Sequence, residues 1–117
     1  MAAPRDPLRV ELLPGTLDLL ILKTLSVQPM HGYGIAGHIG RLSAAALKVE
    51  EGSLYPALQR LKLKGWVKAE WKMSPTNRRA RYYALTRDGR RYFADEVANW
   101  RRLSRAINLV LDVTAAN

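Results

Sequence analysis

Residues 51–72 read EGSLYPALQRLKLKGWVKAEWK, and the hydrophobic period changes halfway along them. Before Gly65, Leu54, Ala57, Leu58 and Leu61 recur at three- and four-residue intervals, which places them on one face of a helix opened by Glu50, Glu51 and Gly52. After Gly65, Val67, Ala69 and Trp71 alternate with Lys68, Glu70 and Lys72, as in a half-buried strand. Gly65 is the residue type that closes a helix in the left-handed conformation. The spacing therefore predicts a short helix running directly into a β-strand. The helix's other side carries Ser53, Tyr55, Pro56, Gln59, Arg60, Lys62 and Lys64, a polar and basic face. Pro56 is expected in the first turn, where its missing N–H has no partner to lose.

Towards the C-terminus, residues 73–79 hold Ser74, Pro75 and Asn77, a turn composition, and residues 80–85 resume as a β-prone run with Tyr82 and Tyr83. This predicts a hairpin whose tip and return bear Lys72, Arg78, Arg79 and Arg81. Thr86 then caps a last helix, expected over 87–113, whose apolar positions Phe93, Val97, Trp100, Ile107 and Leu111 form a seam. Ser104 takes the skipped position, and Leu103 and Val110 widen the seam beyond what one small core covers, so a second subunit is expected against it. Towards the N-terminus, Pro14, Gly15 and Thr16 start an aliphatic helix that ends near Ser26. A turn at Gln28, Pro29 and Met30 leads to a second helix over 31–42 with Tyr33, Ile35, Ile39 and Leu42 at helical intervals. Leu47, Lys48 and Val49 are read as a short strand before the third helix.

The order helix, helix, short strand, helix, hairpin, helix is a mainly α winged helix-turn-helix with a small β-hairpin, extended by a long C-terminal dimerisation helix. The expected division is a flexible leader over 1–11, a winged-helix domain over 12–86, the dimerisation helix over 87–113 and a tail over 114–117. In that plan the third helix enters the major groove, and Tyr55, Gln59, Arg60 and Lys62 are its candidate contacts, with the basic hairpin on phosphate.

Composition agrees with a polyanionic partner. The 117 residues carry a net charge of +9 with 48% hydrophobic content, enough for one core, and there is no cysteine. Without cysteine there is neither a disulfide framework nor a thiolate metal site, and His31 and His38, seven residues apart, do not make a site together. No metal or other cofactor is expected. The N-terminus lacks a basic region leading into an apolar one, and residues 17–25, interrupted by Asp18 and Lys23, are too short to span a bilayer, so a cytoplasmic location is expected. Gly32, Gly34 and Gly37 fit the dinucleotide fingerprint G-x-G-x-x-G, but no βαβ unit surrounds them. No nucleophile and base fall into a catalytic arrangement, so an enzyme is not expected.

Leu13-Pro14-Gly15-Thr16-Leu17, His31-Gly32-Tyr33-Gly34, Glu51-Gly52-Ser53-Leu54-Tyr55-Pro56-Ala57-Leu58 and Tyr83-Ala84-Leu85-Thr86 with Gly89 resemble, in matching order, the PadR family of transcriptional regulators. The resemblance implies that Ser53, Tyr55 and Pro56 sit at the DNA end of the recognition helix, that Tyr33 lies near the DNA backbone, and that Arg78 and Arg79 serve the wing. It also implies a homodimer that represses transcription from a two-fold symmetric operator, with the last helix against the partner's first helix. Leu17 and Leu20 then join Phe93, Val97, Trp100, Leu103, Ile107 and Leu111 in one interface. The single C-terminal helix resembles the family's shorter branch, in which a flat hydrophobic effector binds between subunits. Trp100 is the residue placed for that, or for plain dimer packing. The alternative function is a winged-helix protein-interaction module without specific DNA binding.

Overall fold

Seven elements follow one another in the computed structural model, which describes residues 12–115: α1 (Pro14–Val27), β1 (Met30–His31), α2 (Gly32–Leu42), α3 (Glu51–Leu63), β2 (Val67–Met73), β3 (Arg79–Leu85) and α4 (Arg87–Leu111). The leader expected over 1–11 and the last two residues of the tail lie outside the described residues.

The core forms where three helices meet one end of the sheet. Ile21, Leu22 and Leu25 of α1, Ile35 of α2, Leu54 and Leu58 of α3 and Val67 of β2 are all at most 2% exposed. Helix α2 contributes only its Ile35 and Ile39 side, and Leu42, expected in the helical stripe, is exposed. The turn after α2 is tight enough to put Ala44 and Ala45 in the left-handed region, at φ 52° and 65°. Ser43 holds this turn, its hydroxyl donating to the Gly40 carbonyl at 3.2 Å and accepting the Leu47 N–H at 3.1 Å.

The change of period at Gly65 is realised as expected. Gly65 has φ 79°, its N–H donates to the Lys62 carbonyl at 3.0 Å, and the Trp66 N–H donates to the Leu61 carbonyl at 3.1 Å. Together these bonds satisfy the Leu61 and Lys62 carbonyls near the end of α3 and aim the chain into β2. Pro56 is not in the first turn: α3 starts at Glu51, so the ring lies in the second turn and leaves the Gly52 carbonyl without its i+4 donor. Both residues are exposed, on the side of α3 away from the core.

The sheet departs from expectation in two ways. Residues 47–49 form no strand. The third strand comes instead from Met30 and His31, expected as a turn and a helix start, which pair with Tyr83 and Tyr82 and take the free edge of β3, giving the order β1-β3-β2. Second, the hairpin outruns the core. Val67 is buried and Ala69 half-buried, whereas Trp71, opposite Arg81, is 53% exposed. The turn closes through the Ser74 N–H to the Arg78 carbonyl at 2.7 Å, with Asn77 at φ 61°.

Thr86 ties together the hairpin, the end of α3 and the start of α4. Its hydroxyl accepts the Gly89 N–H at 2.9 Å as the cap of α4 and donates to the Gly65 carbonyl at 2.6 Å, while its own N–H donates to the Trp66 carbonyl at 3.1 Å. Trp66 stacks on Tyr92, centroids 3.4 Å apart and planes 10° from parallel. From there α4 leaves the body: the radius of gyration is 16.8 Å, against about 13 Å for a compact chain of this length.

Candidate nucleic-acid interface

The N-terminus of α2, the first turns of α3 and the hairpin enclose an open cleft of about 450 Å³. His31, Gly32 and Tyr33 form one wall, Tyr55 the floor, and Arg78, Arg79, Arg81 and Tyr83 the other wall.

Each wall has a local cause. His31 caps α2, its Nδ1 accepting the Gly34 N–H at 3.0 Å, and its ring meets Tyr82 edge-on with centroids 5.6 Å apart. The cap leaves Tyr33, in the first turn, 79% exposed at the cleft's rim. Gly32 is where α3 approaches α2: a Cβ there would lie 2.9 Å from both Cε1 and the hydroxyl of Tyr55. Burial of that phenol, then the Glu51 carboxylate, then Tyr83, raise the Tyr55 pKa above its ordinary value of 10.0, so it stays a neutral donor at physiological pH.

The outer face of α3 is divided. At 100° per residue, Tyr55, Gln59 and Lys62 lie on the wing side and Ser53 and Arg60 on the α1 side, with Pro56 between them. All six are exposed. Arg60 is already engaged, its Nη2 donating to Oδ1 of Asp18 at 3.0 Å. Lys72 sits on the hairpin face opposite the cleft, paired with Glu70 at 3.1 Å and 6.0 Å from the Tyr82 ring centroid. Arg79 and Arg81 lie instead over the Trp71 ring, at 5.1 and 5.5 Å. The structure thus brings Tyr33, Tyr55, Arg78, Arg79 and Arg81 to one cleft and turns Arg60 and Lys72 away from it.

The residues expected in the second interface also separate. Leu17 is buried in this chain's own core, and Leu20, Phe93 and Val97 are half-buried. Trp100, Leu103, Ile107 and Leu111 are 46%, 50%, 47% and 70% exposed. They continue the stripe that Gly89 and Phe93 begin against the body.

Three contributors escaped the sequence reading: Trp71 as an exposed wing residue, His31 as a cleft wall and Asp18 as the partner of Arg60. A polar residue directly before a helix start marks His31 as a cap; no local signal marks the other two. Among the described residues no helix is long and apolar enough to cross a membrane, and no group of three or more His, Cys, Asp or Glu is placed to hold a metal ion. The fingerprint glycines follow a strand, β1, but it pairs antiparallel with β3 and opens no βαβ unit.

The transcriptional regulator PadR-like family matches over residues 21–95. Among solved structures, a PadR-like transcription factor from Bacteroides fragilis is 32% identical, with 83% of this chain and 91% of that one covered and a TM-score of 0.68. A transcriptional regulator from Clostridium thermocellum is 29% identical, with 80% and 88% covered and a TM-score of 0.73. A PadR-like transcriptional regulator from Bacillus cereus is 25% identical, with 86% and 95% covered and a TM-score of 0.75.

Proposed function

Because the chain belongs to the PadR-like family, and is with it a DNA-binding transcriptional regulator rather than an enzyme, we propose that it acts as a homodimeric repressor on a two-fold symmetric operator. The observation that carries the pairing is α4. Its stripe is half-buried at Phe93 and Val97 and then runs on through Trp100, Leu103, Ile107 and Leu111, which none of the described residues covers. Large apolar groups in one continuous strip are the usual mark of a protein–protein contact. A second copy presents the same strip, and an isologous pairing covers both. Trp100 is assigned to that packing.

In the dimer each α3 lies in a major groove, roughly 34 Å from its partner. Tyr55, Gln59 and Lys62 face base edges, Ser53 and Pro56 sit at the DNA end of the helix, Tyr33 and Arg78 meet the DNA backbone at the cleft, and Arg79 and Arg81 of the wing lie against the DNA beside it. A dimer seated this way occludes any promoter element overlapping its site, so repression follows from binding alone.

The test is selection of bound duplexes from a random pool at two salt concentrations, with the solution mass measured in parallel. The proposal expects twice the 13.2 kDa chain mass and enrichment of an inverted repeat. A monomer, or salt-sensitive binding without enrichment, would overturn it.

A further inference from the structure

The outer half of the wing holds a feature that core packing does not account for. Trp71 and Met73 are 53% and 64% exposed on the strand face that begins with buried Val67. An indole there stabilises nothing in the core. Directly opposite Trp71 stands Arg81 and diagonally Arg79, and both guanidinium carbons lie within the roughly 6 Å over which a cation is attracted to an aromatic face. Among the described residues neither guanidinium has a carboxylate partner, whereas Lys72 on the other face is matched by Glu70.

We infer that Trp71 is a positioning residue of the wing: its indole holds Arg79 and Arg81 side by side so that they enter a narrow, A·T-rich minor groove flanking the recognition-helix site. A guanidinium held near an aromatic face by cation–π attraction keeps N–H groups available to other acceptors, and it is more weakly hydrated than an ammonium, so it enters a confined groove at a smaller desolvation penalty. The minor groove, about 6 Å wide, excludes a helix but admits extended side chains. Where A·T runs narrow it further, its negative potential deepens and draws in arginine. Both arginines line the same cleft as Tyr55 of α3. With α3 in the major groove, they therefore reach the adjacent minor groove, and the protein reads sequence at positions that α3 never touches.

This inference rests on α3 being the recognition helix, and the test separates the two. The full chain is titrated, at two salt concentrations, with two duplexes sharing the selected core site, one flanked by A·T runs and one by G·C runs. The wild type is expected to favour A·T flanks about tenfold, the discrimination of one well-read base pair. Trp71→Ala is expected to bring that preference within about twofold and to flatten the salt dependence, and Trp71→Phe, which keeps an aromatic face, to restore most of both. The double variant Arg79→Ala, Arg81→Ala, which leaves Trp71 in place, is expected to lose the same preference. A wild type indifferent to its flanks, or a Trp71→Ala protein that keeps the preference, would overturn the inference while leaving core-site recognition intact. Failure to discriminate the core site itself would instead refute the role of α3.

Discussion

Replacing Gly89 with alanine puts propensity and packing in direct opposition. In a helix interior the change gains about 1 kcal/mol from propensity alone. Here the added methyl collides with the carbonyl oxygen of Trp66 and lies 2.8 Å from its carbon and 3.1 Å from its Cα. These are backbone atoms, so no side-chain rotation relieves the contact. The Trp66 carbonyl is also fixed by the Thr86 N–H at 3.1 Å, and the indole by its stack on Tyr92. Helix α4 must therefore lift away, at an overpacking cost of about 1–3 kcal/mol plus about 1 kcal/mol for the hydrogen bond it strains. The net expectation is a loss of about 2 kcal/mol, or roughly 10 °C in melting temperature for a chain of this size. Thermal unfolding followed by far-ultraviolet circular dichroism, at fixed protein concentration, measures it. Gly15→Ala in α1 is the control, since open space surrounds its Cβ position, and it is expected to be neutral or stabilising. A Gly89→Ala protein as stable as the wild type would refute the close approach of α4 to Trp66.

Leu103→Asp with Ile107→Asp places two charges on the exposed stripe of α4 and is expected to give a folded monomer by sedimentation, with operator affinity reduced at least 100-fold. Arg78→Ala, at a side chain that lines the cleft, is expected to weaken DNA binding on all sequences and lower the salt slope by about one, whereas Gln59→Ala changes sequence preference. Arg60→Ala is expected to have the smaller effect on DNA, and to lower stability by at most about 1 kcal/mol through its partly exposed Asp18 pair. Ala45→Gly relieves a left-handed alanine at φ 65° and is expected to raise stability by about 1 kcal/mol, read from urea unfolding. Burial raises the pKa of both Tyr55 and Tyr92 above 10.0, with Glu51 and Glu96 respectively adding to it. The folded state thus holds these protons more tightly than the unfolded chain, and this contribution is complete below pH 10 and lost as pH rises through the folded values. The melting temperature should be level up to about pH 9 and fall above 10, less steeply in Tyr92→Phe.

The helices were legible because each buries a face, and burial writes its period into the sequence. Leu54, Ala57, Leu58 and Leu61 show this on one side of Gly65, and Val67 with Ala69 on the other. Trp71 extends the same alternation past the point where the core ends, so the pattern alone could not show that its indole faces solvent. Strand β1 has two residues, too few for a period, and its partner lies about fifty positions along the chain. Residues 47–49 have the composition of a strand, but β1 already occupies the free edge of β3. Arg60 belongs by type to a basic face, and only the packing of α3 on α1 brings it to Asp18. Leu17 has the character of any apolar residue on α1, and three-dimensional packing alone assigns it to the core rather than to a partner.

Hydroxyl-radical footprinting of the wild type on its selected operator bears directly on the two-fold pairing. A homodimer with one α3 in each of two successive major grooves gives two equal zones of protection related by a two-fold axis, centred about one helical turn (10–10.5 base pairs) apart, each with an outer minor-groove protection from the wing. A single zone, or two zones without symmetry, would contradict it.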